Sequence, residues 1–144
     1  MEVEDERIRD ELRAIRLIAM ETPSMIARTV PAIVVDMESQ RIAFATQPAD
    51  ELFGYIEGSL IGQELETLIP PRLRAKHKEH FKGFVEHPVK RNMGAMDMEL
   101  FGLSRDGAEF PLSLGLHPIV IGRRPCVIAT ILRTVGTRVK TGST

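Results

Sequence analysis

The stretch after Ser104 constrains this chain more than any other. Arg105-Asp106-Gly107 is a tight-hairpin signal, because an Asp-Gly pair accepts the positive φ that a short turn imposes. Beyond it Phe110, Leu112, Leu114 and Leu116 occupy alternate positions, the period-two pattern of an antiparallel strand with one buried face. Such a strand needs neighbours on its edges and a layer over its apolar side.

The neighbours are readable on both sides. Met96, Met98 and Leu100 alternate with Asp97, Glu99 and Phe101 before the hairpin. After it, Ile121-Gly122-Arg123-Arg124 turns the chain into a run from Cys126 to Leu132. Far upstream, Ala32-Ile33-Val34-Val35-Asp36 and Arg41-Ile42-Ala43-Phe44-Ala45 flank a polar turn and predict two more short strands. The covering layer lies between the two groups. Short helical pieces over 48–53 and 64–68 are punctuated by Gly54, Gly58 and Gly62, and Pro70-Pro71 opens a longer helix over about 72–86 that His87-Pro88 closes. The expectation is an α+β domain, a five-stranded antiparallel sheet with helices on one face.

An N-terminal amphipathic helix is predicted over 4–21, with Ile8, Leu12, Ile15 and Ala19 as its apolar stripe. The stripe suits either a partner helix or the domain that follows. Thr22-Pro23-Ser24 reads as a stop and restart, with a short second helix ending before Pro31. Three parts follow: a dimerisation or signalling helix over 1–22, the domain over 23–135, and a flexible tail over 136–144.

Charge excludes some partners. Lys and Arg number 19 against 20 Asp and Glu, a formal net charge of −1, which argues against a nucleic-acid surface or a polybasic membrane anchor. Cys126 is the single cysteine, so no intrachain disulfide or thiolate metal cluster forms. The acidic N-terminus lacks the basic start and apolar stretch of a signal peptide, and no apolar run reaches membrane-spanning length. A reduced, cytoplasmic setting is expected.

This element order, with these residues, resembles the PAS (Per-Arnt-Sim) sensory domain over roughly residues 25 to 135. The motifs that carry the resemblance are Ala32–Asp36, Glu51-Leu52-Phe53-Gly54-Tyr55, Leu60-Ile61-Gly62-Gln63, Leu68-Ile69-Pro70 and Arg105-Asp106-Gly107-Ala108-Glu109-Phe110-Pro111. Thr46 departs from the pattern, standing where the family often has Asn. The resemblance implies a space between the helices and the inner face of the sheet, holding either a small molecule or packed side chains.

The resemblance also ranks the cofactors. Flavin photoreceptors of the family carry a reactive Cys in the helical cluster, whereas Cys126 lies on a predicted strand, so flavin is disfavoured. Haem b is the leading candidate. Members that bind it place a proximal His shortly after the Leu-Ile-Pro start of the long helix, where this chain has His77. Met96 falls on the position of a sixth ligand, and Met98 stands where oxygen sensors place an Arg. Leu114, Leu116 and Ile131 would wall the cofactor, and the iron ligands would be His77 and Met96. A thioether donates no hydrogen bond to bound dioxygen, so the implied signal is redox, CO or NO. Zinc on His77 and His80 lacks a third ligand. Acid–base catalysis by His77, Glu79 or His80 finds no nucleophile, phosphate loop or metal triad in support. The expected function is a homodimeric, non-enzymatic sensor that relays a ligand state to an effector partner. The alternatives are a haem-based redox or gas sensor and a structural dimerisation module whose cavity is filled by Met93, Met96, Met98 and Phe101.

Overall fold

The computed structural model describes residues 2–22, 29–93 and 100–133. Helix α1 spans Glu2–Glu21. Strands β1 (Ala32–Asp36) and β2 (Ile42–Ala45) follow, then helix α2 (Gln47–Phe53). Two 3-10 turns, Leu65–Leu68 and Pro71–Leu73, lead into helix α3 (Arg74–Glu86). The last described elements are β3 (Arg91–Met93), β4 (Leu100–Leu103), β5 (Glu109–Ile121) and β6 (Arg124–Arg133).

All strand pairs are antiparallel, in the order β2-β1-β6-β5-β3, with β4 also on β5. Arg91 to Met93 pair with Leu116 to Leu114, and Leu100 to Leu103 pair with Leu112 to Glu109. Thus β3 and β4 lie end to end along one edge of β5 and share the fifth position of the sheet. Of the strand expected from Met96, the described part is Leu100–Leu103. Met96 and Met98 lie outside the described residues, as do the short helix expected after Pro23 and the tail from Gly136. Segment β3 has no alternating signature in sequence.

Both faces of the sheet are covered near β1, and all five of its residues are buried. Ile33 and Val35 face inward to a core with Phe53, Leu68, Phe81, Phe110 and Leu112. Val34 faces the other way, into a second cluster with Ile15, Ile18, Ala43, Ile121 and Cys126. Helix α1 therefore lies on the outer face, opposite α2 and α3. Its docking residues are Ile15 and Ile18, whereas Ile8 and Leu12 are 39% and 36% exposed. Both docking residues lie in the C-terminal half of α1, so the buried pair departs from the full stripe read in the sequence. Arg41 strengthens the junction, its guanidinium reaching Glu11 at 3.4 Å and the Gly62 carbonyl at 2.8 Å.

Local chemistry fixes the joints. Buried Thr46 caps α2: its hydroxyl donates to the Val30 carbonyl at 2.7 Å and accepts from the Ala32 N–H at 3.0 Å. The hydroxyl also lies 3.4 Å from the Ala49 N–H. Thr46 thus ties β1 to α2. Gly54 ends α2 in the left-handed region at φ 80°, its N–H reaching the Asp50 and Glu51 carbonyls. At the far end of the sheet, Asp36 accepts Arg124 Nε at 3.1 Å and Nη2 at 2.6 Å, clasping the β1–β2 turn to the β5–β6 turn.

Candidate functional site

Pro70 and Pro71 set the entry of α3, since proline fixes φ and suits a first helical turn. The segment then presents two side-chain stripes at helical spacing. Leu73, His77, Phe81 and Phe84 are buried or half-buried, and Arg72, Lys76, His80 and His87 are exposed. Phe81 and Phe84 anchor the helix in the core. Between α3 and the inner face of the sheet lies a cavity of about 940 Å³. That is the upper end of the usual small-molecule range of about 300–1,000 Å³.

The floor of the cavity is aliphatic. Ile33, Val35, Leu112, Leu114, Val127 and Ile131 line it from β1, β5 and β6. Leu116 contributes from β5 and Phe101 from β4. The mouth is formed by exposed lining residues, among them Arg72, Lys76, Glu79, His80, His87 and Arg91. Arg72 is already engaged: Nη2 stands 2.7 Å from Glu109 Oε1, and the guanidinium lies 5.4 Å from the centre of the Phe101 ring.

His77, Leu114, Leu116 and Ile131 thus line one cavity. Met96 and Met98 lie outside the described residues. His77 Nδ1 stands 3.2 Å from Glu66 Oε2, with the imidazole side chain 25% exposed. A carboxylate oxygen accepts, so Nδ1 is the nitrogen that donates to Glu66, and Nε2 is the ring nitrogen outside this bond. A carboxylate behind an imidazole is the arrangement that orients histidine as a metal ligand. The other Glu66 oxygen, Oε1, is buried without a hydrogen-bond partner. Among the described residues, no three His, Cys, Asp or Glu side chains gather around a point where a metal ion could sit.

Two other buried carboxyls lie away from the cavity. Burial pushes Asp36 upward, but the bonds from Arg124 and Ser39 outweigh it and hold the carboxyl below its ordinary value. Asp50 is pushed up, first by burial and then by the charges of Glu57 and Glu51, against one N–H from Gly58. Cys126 packs on the outer face with Ile18 and Val34, and burial, with Asp36 nearby, pushes its thiol up to about 11. The thickness of the sheet separates this sulfur from the cavity. No helix among the described residues is long and apolar enough to cross a membrane.

Sheet order, crossing helices and the cavity under α3 define the PAS fold. Solved structures that share it include a PAS domain from Desulfitobacterium hafniense, 15% identical, with a TM-score of 0.63 over 74% of this chain and 96% of that one. A light-oxygen-voltage (LOV) protein from Rhodobacter sphaeroides is 16% identical, with a TM-score of 0.62 over 92% of this chain and 70% of that one. The PAS domain of the fruit-fly ELK potassium channel is 14% identical, with a TM-score of 0.57 over 72% and 85%. No family model matches the sequence, and no curated protein does.

Glu66 and the basic stripe of α3 were missed in the sequence. Glu66 precedes His77 by 11 positions, and only the Pro70–Pro71 bend brings them together. Arg72, Lys76 and His80 are visible as a polar helix face, the usual pattern of a solvated surface.

Proposed function

We propose that the chain is a sensory module without catalytic activity, which binds a small molecule between α3 and the inner face of the sheet. The single observation that carries this reading is the aliphatic cavity of about 940 Å³ under a helix held mainly by Phe81 and Phe84. A ligand there contacts α3 and β5 together, so it favours one spacing of helix and sheet over another. Through β1 and β6 the same sheet carries α1 on its outer face, which gives a route to a second copy of the chain or to an effector partner. The solved PAS and LOV domains support the reading at the level of fold alone.

Native mass spectrometry of the protein purified from cells tests it. A retained small-molecule adduct is expected, and Leu116→Trp, which adds bulk to the cavity wall, should lose it. Wild-type protein free of adduct, and equally unmoved in melting temperature by apolar probes, would sink the reading in favour of a structural module with a filled interior.

A second reading is favoured by the Glu66–His77 pair: haem b, with His77 Nε2 as an iron ligand. The residues fit, since an imidazole oriented by a carboxylate stands at an apolar cavity. Bound haem would supply an iron centre whose ligation responds to redox state, CO or NO. In that reading Glu66 fixes the imidazole, and Leu114, Leu116 and Ile131 keep water from the cofactor. Reconstitution with haemin should give a Soret band that His77→Ala abolishes; an identical spectrum from both proteins would end it. Flavin attachment through sulfur is disfavoured by the position of Cys126 across the sheet.

A further inference from the structure

We infer that the ligand is an anionic amphiphile of the long-chain carboxylate class, its hydrocarbon chain against the sheet and its head among the cations of α3 and β3. The inference rests on the reading that the cavity binds a small molecule, and it names the chemistry of that molecule.

The floor selects the body. Among the described lining residues none is Ser, Thr, Asn, Gln, Tyr or Trp. A heteroaromatic or sugar-bearing ligand would bring several hydrogen-bonding groups out of water. Each one left without a partner costs about 1–3 kcal/mol. His77 is the polar group beneath the mouth, and Glu66 already holds its Nδ1. A hydrocarbon chain meets no such penalty on walls of Ile, Leu and Val.

The mouth selects the head. Lys76, His80 and His87 stand on one stripe of α3 and its C-terminal cap, with Arg91 opposite on β3. Among the described residues no ion pair engages Lys76 or Arg91; Glu79 is the one acid of the described lining, and Glu109 beside it is taken up by Arg72. Nearby cations lower the free energy of a carboxylate, and the adjoining apolar wall weakens screening. The segregation is the point: apolar below, cationic above, with the two zones meeting in one cavity.

Isothermal titration with decanoate, dodecanoate and tetradecanoate, each below its micellar concentration, tests the class against tetradecanol and haemin. Affinity should rise roughly fourfold per methylene, the yield of burying one CH2 group. Tetradecanoate should bind more tightly than tetradecanol. Lys76→Glu with Arg91→Glu, both exposed positions, should weaken the acid roughly tenfold and leave the alcohol unchanged. Equal affinity for acid and alcohol, or indifference to the double variant, would overturn the anionic class while leaving the cavity as a ligand site. Failure of every probe would overturn both. Haemin binding through His77, with no response to any of the carboxylates, would overturn the aliphatic class and keep the site.

Discussion

Single side chains hold the ends of this sheet together. Asp36 is fully buried, and its two oxygens receive Arg124 Nε and Nη2 together with the Ser39 hydroxyl and N–H. Asp36→Ala removes the buried anion and leaves Arg124, which is 26% exposed, with Glu38 at 3.0 Å as its remaining carboxylate partner. Chemical denaturation should register a loss of about 1–3 kcal/mol, chiefly from the hydrogen bonds to Arg124 and Ser39. Because the folded-state carboxyl lies below its ordinary value of 3.8, the stabilisation is present above that pH and lost as the pH falls below it. Asp50 works in the opposite sense. Its raised value means that stability is present near pH 3.8 and lost as the pH rises through the shifted value. Asp50→Asn should lack that loss, so the gap in denaturation midpoint between variant and wild type widens from acid toward neutral pH. A constant gap would contradict the assignment. Thr46→Ala, which removes the α2 cap and two ties to the Val30–Ala32 backbone, should cost about 1–2 kcal/mol by the same measurement.

At the scale of elements, packing decided what local pattern left open. The hairpins were legible in sequence, because Asp106-Gly107 and the alternation of Phe110 to Leu116 are local signals. The turn at Gly122 and Arg123, with φ of 57° and 67°, closes β5 onto β6 where Ile121-Gly122-Arg123-Arg124 indicated. Segment β3 was not legible, since Arg91-Asn92-Met93 becomes a strand only by lying along the edge of β5. Docking of α1 was equally undecided by its stripe, and the sheet resolved it in favour of Ile15 and Ile18. Ile18→Ala should therefore cost about 2–4 kcal/mol in global stability, whereas Met20→Ala, at a position 73% exposed, should be nearly neutral. Gly102 shows how tightly β4 sits under α2. A Cβ there would come within 2.8 Å of Leu112 Cδ2 and 2.9 Å of Phe53 Cε1. Gly102→Ala should cost about 1–3 kcal/mol through overpacking.

Across the whole molecule, the two faces of one sheet divide the work. The outer face is closed by α1 and contains Cys126, and the inner face carries the cavity beneath α3. His77, which the family resemblance singled out from its place after Leu68-Ile69-Pro70, lines that cavity. Glu66 and the basic mouth were not legible in sequence, because they depend on a bend and on an interior that no local pattern encodes. The coupling proposed between ligand and output requires the inner face to be the binding surface. Methyl-labelled NMR during titration with tetradecanoate tests this most directly. The account predicts saturable shifts at Val35, Leu112, Leu114 and Ile131 on the inner face, with Ile18, Val34 and Ile121 on the outer side as the unperturbed reference before any relay. First and largest shifts at that outer cluster, or none at the inner methyls, would contradict it.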